Sequence, residues 1–511
     1  MPEPVVEAGI GELVRELAVG VGVELPTLRV TGADPVLPSF FRVGTAAAVA
    51  VGAATAAAAK FRGDVRNVGE MREEEDAGNS GETGNTREAG GDEGTGGTGG
   101  TGGTGDSGGT GDSGEVGDTG VAGVDVREAA VAFQDERHFR IDGAGPVMWA
   151  ALSGDYRTID GWVRLHCNFD HHRDAALAAL GLPSGAGGDA VARVCAGRTA
   201  LEVEDAVTLA GGCAAAMRSR AVWRAHPQGR AVAGLPLVGM TRIDHAGRAE
   251  GAEGDGGGRP LDGVRVLDLT RVIAGPVATR TLAAHGARVL RVGAAHLPEV
   301  SGLVIGTAFG KRSCHLDLRT PAGGAMLRDL VAGTDVFVQS YRPGALEALG
   351  FGPRELAAIR PGIVCVDISA YGSHGPWAGR RGFDSLVQMA CGIAHEGGQG
   401  VQPRPLPAQV LDHATGYLAA FGAMAALLRR SAEGGSWKVE LSLARTALWL
   451  DSLGRVDGGD TPAPEVTDLL REMDSPFGRL TYVRPPGTVD GASPYWASPP
   501  PGQGEHPLAW W

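Results

Sequence analysis

Val264-Arg-Val-Leu-Asp-Leu269-Thr-Arg271-Val-Ile-Ala-Gly275-Pro276-Val-Ala-Thr-Arg-Thr-Leu-Ala-Ala-His285-Gly-Ala-Arg288-Val-Leu-Arg-Val292 reads as strand, turn, helix and strand. The two outer runs are short and apolar, as buried strands are, and the Ala-rich stretch between them opens on Gly-Pro. The alternation continues downstream. Thr320–Ala332 reads as a helix opened by Thr-Pro, Asp335–Gln339 as a strand, Pro353–Ile359 as a helix and Ile363–Ile368 as a strand. Strands that alternate with helices at this spacing imply a parallel α/β sheet. The expected fold is α/β: a Rossmann-like large domain on a parallel sheet, with a smaller α+β domain. Ligands of such sheets bind beyond the carboxyl ends of the strands. The segments there are Thr270–Pro276, Ser340–Gly344 and Ala370–Trp377, which carry Arg or Gly-Pro turns. After these strands neither a GxGxxG fingerprint nor a P-loop is present, which argues against the usual dinucleotide and nucleoside-triphosphate sites.

Beyond that alternation, Leu406-Pro-Ala-Gln-Val-Leu-Asp412-His413 leads into a helix of small and apolar residues ending on Arg429-Arg430. Asp412 is expected at the N-cap, where a carboxylate accepts unpaired backbone N–H groups and faces the positive end of the helix dipole. A capping carboxylate and an attacking carboxylate are both open readings of this window.

Working outward, 511 residues allow two to four domains. Of the 83 glycines, 21 fall in a low-complexity stretch at about 63–121 that cannot bury enough apolar surface to order itself. Between Glu73 and Asp118, twelve Asp/Glu against Arg87 give −11 of the chain's −14, so the rest carries −3. That acidity belongs to one insert and says little about a substrate. A basic stripe for nucleic acid is absent. The run Gly44–Ala59 is apolar but shorter than a membrane span, and reads as a core helix. The six cysteines show no ligand spacing, and they read as buried thiols of a cytoplasmic protein. A basic-then-apolar leader is not evident at the N-terminus. His171 and His172 are adjacent and point different ways on a helix, a poor metal pair; no metal site is expected. Asp160-Gly161 between two alternating runs signals a hairpin. The expected organisation is a helical segment at 1–62, the insert at 63–123, a small-domain part at 124–245, a linker at 246–260, a large domain at 261–455 and a Pro-rich tail at 456–511.

Five stretches in register resemble the family III CoA-transferases, whose superfamily also holds formyl-CoA transferase, carnitine CoA-transferase and alpha-methylacyl-CoA racemase. They are Leu261–Pro276, Gly310–Gly323, Tyr341–Gly350, Tyr371–Gln388 and the Asp412 helix, spanning about 261–450. The resemblance implies that Asp412 is a covalent nucleophile. It attacks an acyl-CoA carbonyl, is converted by the released thiolate into an aspartyl-CoA thioester, and is displaced by an acceptor acid. It also implies that Arg271, Arg342 and Arg381 hold CoA or the reacting carbonyl, and that Lys311 and Arg312 suit the CoA phosphates by charge. The substrates so implied are a coenzyme A thioester and a small carboxylic acid, with no permanently bound cofactor, no nucleic acid, no membrane and a possible homodimer. Racemases of the superfamily carry a histidine base before the Asp of Gly-His-Asp. Phe383 stands there in Gly382-Phe383-Asp384, which favours transfer over racemisation. An acyl-CoA racemase and a CoA-binding homologue without chemistry are the alternatives.

The first half resembles another part of the same family. Aligning Gly52 with Gly422 pairs Val43–Lys60 with His413–Arg430, and then Val124–Ala130 with Val439–Arg445. Arg42 falls opposite Asp412, so the first copy lacks a nucleophile. One active site per chain, assembled from both halves, is the expectation.

Overall fold

Seven strands form the main sheet, in the order Lys311–His315, Arg288–Gly293, Arg265–Leu269, Val336–Gln339, Val364–Ser369, Trp437–Ser442, Gly239–Arg242. In the computed structural model, which describes residues 9–79, 121–245 and 258–511, the first six run parallel and Gly239–Arg242 lies antiparallel against Trp437–Ser442. Strand order reverses between Arg265–Leu269 and Val336–Gln339. The crevice beyond their carboxyl ends is where a ligand belongs in such a sheet.

The helix Val410–Glu433 lies along this sheet, almost wholly buried. Small residues set how near it comes. A Cβ on Gly416 would stand 2.6 Å from the Ala274 carbonyl oxygen, and one on Gly422 would stand 2.7 Å from Val439 Cγ1. Its other side packs on the helix Val43–Asn79, where a Cβ on Gly52 would stand 2.6 Å from Leu28 Cδ2. Val43–Gly63 and Val410–Glu433 are each long and apolar enough to cross a bilayer, yet both are enclosed within the protein.

The two long helices sit in matching surroundings. Leu28–Thr31 runs parallel to Ala122–Asp125, and Thr488–Val489 adds antiparallel to that strand. In the main sheet Val364–Ser369 runs parallel to Trp437–Ser442, and Gly239–Arg242 adds antiparallel. Each three-strand set thus takes its antiparallel member from the opposite half of the chain. Between them, Gly154–Arg157, Trp162–Leu165 and Ala214–Ala216 form a small antiparallel sheet covered by helices, with Leu165, Leu177, Val191 and Val203 in its core. The strand pair Gly154–Arg157 and Trp162–Leu165 turns through Asp160-Gly161.

Two expected boundaries change. Helix continues to Asn79, sixteen residues past Gly63, where the insert was expected to begin unordered. The run Arg62–Asp76 is rich in Arg, Glu and Met, good helix formers that only extend an already nucleated helix. The rest of that insert, residues 80–120, and most of the Gly-rich linker, 246–257, lie outside the described residues. Residues 456–511 are more than a tail. Leu470–Ser475 and Gly478–Val483 pair with each other, and the second also pairs with Arg140–Ile141. The last segment covers the Lys311–His315 edge, with the Gly310 N–H donating to the Ser498 carbonyl (3.0 Å) and the His506 N–H to that of Ser313 (2.7 Å).

Two buried polar links dock the small sheet onto the loop that leads to Phe383. Gln228 donates to the Tyr371 and His374 carbonyls, both at 2.8 Å, and accepts from the Trp377 N–H at 2.7 Å. Glu204 pairs with Arg218 (2.7 Å) and Arg380 (3.0 Å).

Candidate active site

Asp412 is not the cap of its helix. The helix begins at Val410 after Gln409, which puts Asp412 in the first turn. Asp384, from a separate helix, does the capping: its Oδ2 accepts the N–H groups of Leu411 (2.8 Å) and Asp412 (3.0 Å). Gln388 donates to the other oxygen of Asp384. The Asp412 carboxylate is therefore released from the local role that its sequence position suggested. It is buried, and it lines two cavities.

The first cavity, about 400 Å³, lies at the strand-order reversal. Arg271, Arg342 and Arg381 line it together with Asp412. The Arg271 N–H donates to Ser340 Oγ (3.2 Å) across the reversal, and its guanidinium lies 5.3 Å from the Phe169 ring, held by Glu299 (3.4 Å) and the Pro298 carbonyl. Arg381 donates to the Gly211 carbonyl (3.3 Å), a tether from the small domain. Arg342 is exposed at the rim. The second cavity, about 540 Å³, lies on the other side of Val272, Ile273 and Phe383, which border both. Val272 has φ of 73°, a left-handed conformation that is strained for a β-branched residue. The first half of the chain supplies about half of the second cavity's lining, including Glu136, Arg137, Arg140, Trp149 and His166.

Electrostatics at this junction favour protonated or neutral groups. Burial, then Asp384 and Glu136, raise the Asp412 pKa well above the ordinary carboxylate range. Burial pushes Asp384 up to about 6. His166 is driven down to about 3 by burial and is neutral; its ring stacks on Phe383 with centroids 3.6 Å apart. His172 is also pushed down to about 3 by burial. His413 Nε2 pairs with Glu136 Oε2 (3.0 Å) and stacks on Phe133. Asp135, Glu136 and His413 offer ligand atoms within 4.8 Å of one another, but Arg280 already pairs with Asp135. The group is an ion-pair network joining the two halves.

Lys311 and Arg312 are not at this site. Lys311 is buried, and its ammonium is used three times: to Asp268 (3.0 Å), to the Pro276 carbonyl (3.0 Å) and to Thr279 Oγ1 (2.7 Å). Burial pushes its pKa down to about 8 against the pull of Asp268. This lysine braces the Gly275-Pro276 helix against its strand and has no donor left for a phosphate. Arg312 points the other way along the edge strand, its guanidinium 4.1 Å from the Trp511 ring. Reading the charge alone missed the strand alternation that turns one residue inward and the next outward.

A family description, CoA-transferase family III, matches residues 261–454. Those residues belong to CoA-transferase family III. Among curated relatives, the chain is 37% identical over 239 residues to "Acetyl-coenzyme A transferase nodX" of Hypoxylon pulicicidum, covering 44% of this chain and 40% of that one. It is 34% identical over 201 residues to "Succinyl-CoA:glutarate CoA-transferase" of Mus musculus, covering 36% and 45%. A crystal structure of Rv3272 from M. tuberculosis aligns at 31% identity with a TM-score of 0.34, covering 38% of this chain and 58% of that one. The chain thus spans 40% and 45% of the lengths of these two curated relatives. Asp412, Asp384, Arg271, Arg342 and Arg381 fall inside the family III span, whereas Glu136, Trp149, His166 and the two arginines of the second cavity precede it.

Phe41 bridges to Arg455, whose guanidinium lies 4.1 Å from the Phe41 ring and pairs with Glu396 (2.6 Å) and Asp451 (2.6 Å).

Proposed function

We propose that the chain moves CoA from an acyl-CoA thioester to an acceptor carboxylate through Asp412. An oxygen of ionised Asp412 bonds to the acyl carbon, and the C–S bond breaks to release CoA thiolate. The thiolate attacks the Asp412 carbonyl carbon, forming an aspartyl-CoA thioester and expelling the acyl group as its carboxylate. The acceptor carboxylate then attacks that thioester and releases the thiolate again. The thiolate takes the acceptor's acyl carbon and leaves Asp412 ionised as at the start. Each step exchanges one acyl bond for another, so no oxidant or metal enters.

The observation that carries this reading is a carboxylate freed from capping by Asp384, standing between two cavities. Arg271, Arg342 and Arg381 suit the phosphates and carbonyls of a CoA ester on one side. Asp412 has an elevated pKa, which also makes the ionised form the stronger nucleophile. Phe383 cannot take a proton, which leaves racemisation without that base.

Helix, strand and bordering segments recur around Val43–Asn79 and Val410–Glu433, in keeping with two partial copies fused in one chain. On that reading one chain supplies both walls of one site, and a homodimer is not required for catalysis. Six buried free cysteines fit a reducing, cytoplasmic setting. Intact-mass measurement after incubation with a panel of acyl-CoAs tests the proposal. A hydroxylamine-sensitive adduct on wild type but not on Asp412→Ala supports it; binding without an adduct refutes it.

A further inference from the structure

The second cavity bears on which acid is exchanged at Asp412. Apart from Asp412, its acidic groups are committed: Glu136 to His413, and Asp384 to two backbone N–H groups and Gln388. His166 carries no charge. The cations that line it are Arg137, within the helix Asp135–His138, and Arg140, the first residue of the strand Arg140–Ile141. Among the described residues, neither has a carboxylate within the 4.0 Å of an ion pair. Arg140 Nη1 donates to the carbonyls of Arg137 (2.7 Å) and Phe139 (2.8 Å), which fixes the guanidinium, while among the described residues its Nε and Nη2 meet no acceptor. Arg164, nearby, is already paired with Asp155 (2.8 Å) and lies against the Trp149 ring at 5.5 Å. The partly exposed Trp149 indole adds apolar wall to the same cavity.

We infer that the acid exchanged at Asp412 carries a second anionic group, and that Arg137 and Arg140 bind it. A reacting carboxyl meets Asp412, a short apolar stem runs past Trp149, and a terminal carboxylate or similar anion meets the two guanidinium groups. A guanidinium fork held by the backbone at Arg140, with a second cation beside it at the exposed Arg137, suits a planar carboxylate better than any neutral end group. The phosphates of CoA have their own arginines in the first cavity, so the pair is left for the acid. This deepens the proposed transfer reaction and rests on it.

The test uses the full chain, charged to the aspartyl-CoA state with whichever acyl-CoA gives the hydroxylamine-sensitive adduct. Its discharge is timed with dicarboxylates of three to six carbons and with the monocarboxylates of matched length. The fastest discharge is expected from a dicarboxylate, about 10–100-fold ahead of its matched monocarboxylate in kcat/KM, the range set by hydrogen bonds to a charged group. Arg137→Gln with Arg140→Gln is expected to collapse that ratio to below about 3-fold. Arg137→Glu is expected to move the preference toward the ω-amino acid of the same length. Equal discharge by both acid classes in wild type, or an unchanged ratio in the double variant, overturns the inference while leaving the transfer reaction standing. Failure of every acyl-CoA to form an adduct overturns the reaction itself, and this inference with it.

Discussion

Replacing Lys311 by methionine separates the role expected of a cation near CoA from the role the packing gives it. Methionine keeps the length of the aliphatic stem and removes the ammonium. Asp268 Oδ2 then retains Thr279 Oγ1 (2.7 Å) but loses its counter-charge, and the Pro276 carbonyl loses a donor. Breaking a buried pair by removing one partner costs about 3–5 kcal/mol, chiefly because the remaining charge stays buried. At about 2–4 °C per kcal/mol for a domain of this size, the melting temperature should fall by roughly 6–20 °C. Neutralising the survivor with Asp268→Asn in the same chain should recover part of the loss, a coupling that a double-mutant cycle reads directly. Thermal unfolding of the four proteins, beside the concentration dependence of adduct formation with an acyl-CoA, is the assay. An apparent affinity for acyl-CoA within about 2-fold of wild type is expected, since no donor of Lys311 faces the cavity. A melting temperature unchanged within 2 °C in the presence of at least 10-fold weaker acyl-CoA binding would refute the structural role and return Lys311 to the phosphates.

Three further outcomes follow from the same contacts. Asp412→Asn should abolish transfer and raise the melting temperature at neutral pH. The folded pKa of Asp412 is raised, so the folded chain holds this proton where the unfolded chain has lost it, and stability falls as pH climbs from the ordinary value of 3.8 through the raised one. The gain should therefore shrink toward pH 4, and adduct formation by wild type should increase with pH through a pKa above the usual carboxylate range; a Tm gain independent of pH would contradict both. Gly416→Ala places a Cβ 2.6 Å from the Ala274 carbonyl, so it should cost about 1–3 kcal/mol and slow adduct formation by shifting the Val272–Ala274 wall, measured by urea unfolding and single-turnover kinetics. Gln228→Leu leaves two carbonyls and one N–H of the 371–377 loop without their partner, and should cost about 2–4 kcal/mol with a raised KM for acyl-CoA, because that loop leads to Arg381.

The sheet was legible because its strands are short apolar runs spaced by capped helices, and the crevice residues Arg271 and Arg342 stand directly after two of those strands. Local pattern carries such features. What it did not carry is long-range pairing. Asp412 looks like a cap from its own window, and only Asp384, far upstream and on another helix, shows otherwise. Lys311 begins a strand whose alternation sends it inward, toward an aspartate 43 residues earlier. Glu136 meets His413 across 277 residues, a contact visible only once the two long helices are set side by side. Residues after the short helix Val126–Ala132 lie by the start of the Asp412 helix, and Arg455 lies by the start of the Val43–Asn79 helix. Arg137 and Arg140 come with that segment. In the sequence they are two arginines in a charged run, and nothing local sets them apart.

Mass spectrometry of the intact chain after mixing with acyl-CoA, with and without hydroxylamine, bears most directly on Asp412 as an attacking group. An acyl- or CoA-derived mass increment that hydroxylamine removes, mapped to Asp412 and missing from Asp412→Ala, is the predicted result. An increment that persists in Asp412→Ala, or CoA exchange at the wild-type rate by that variant, would contradict it.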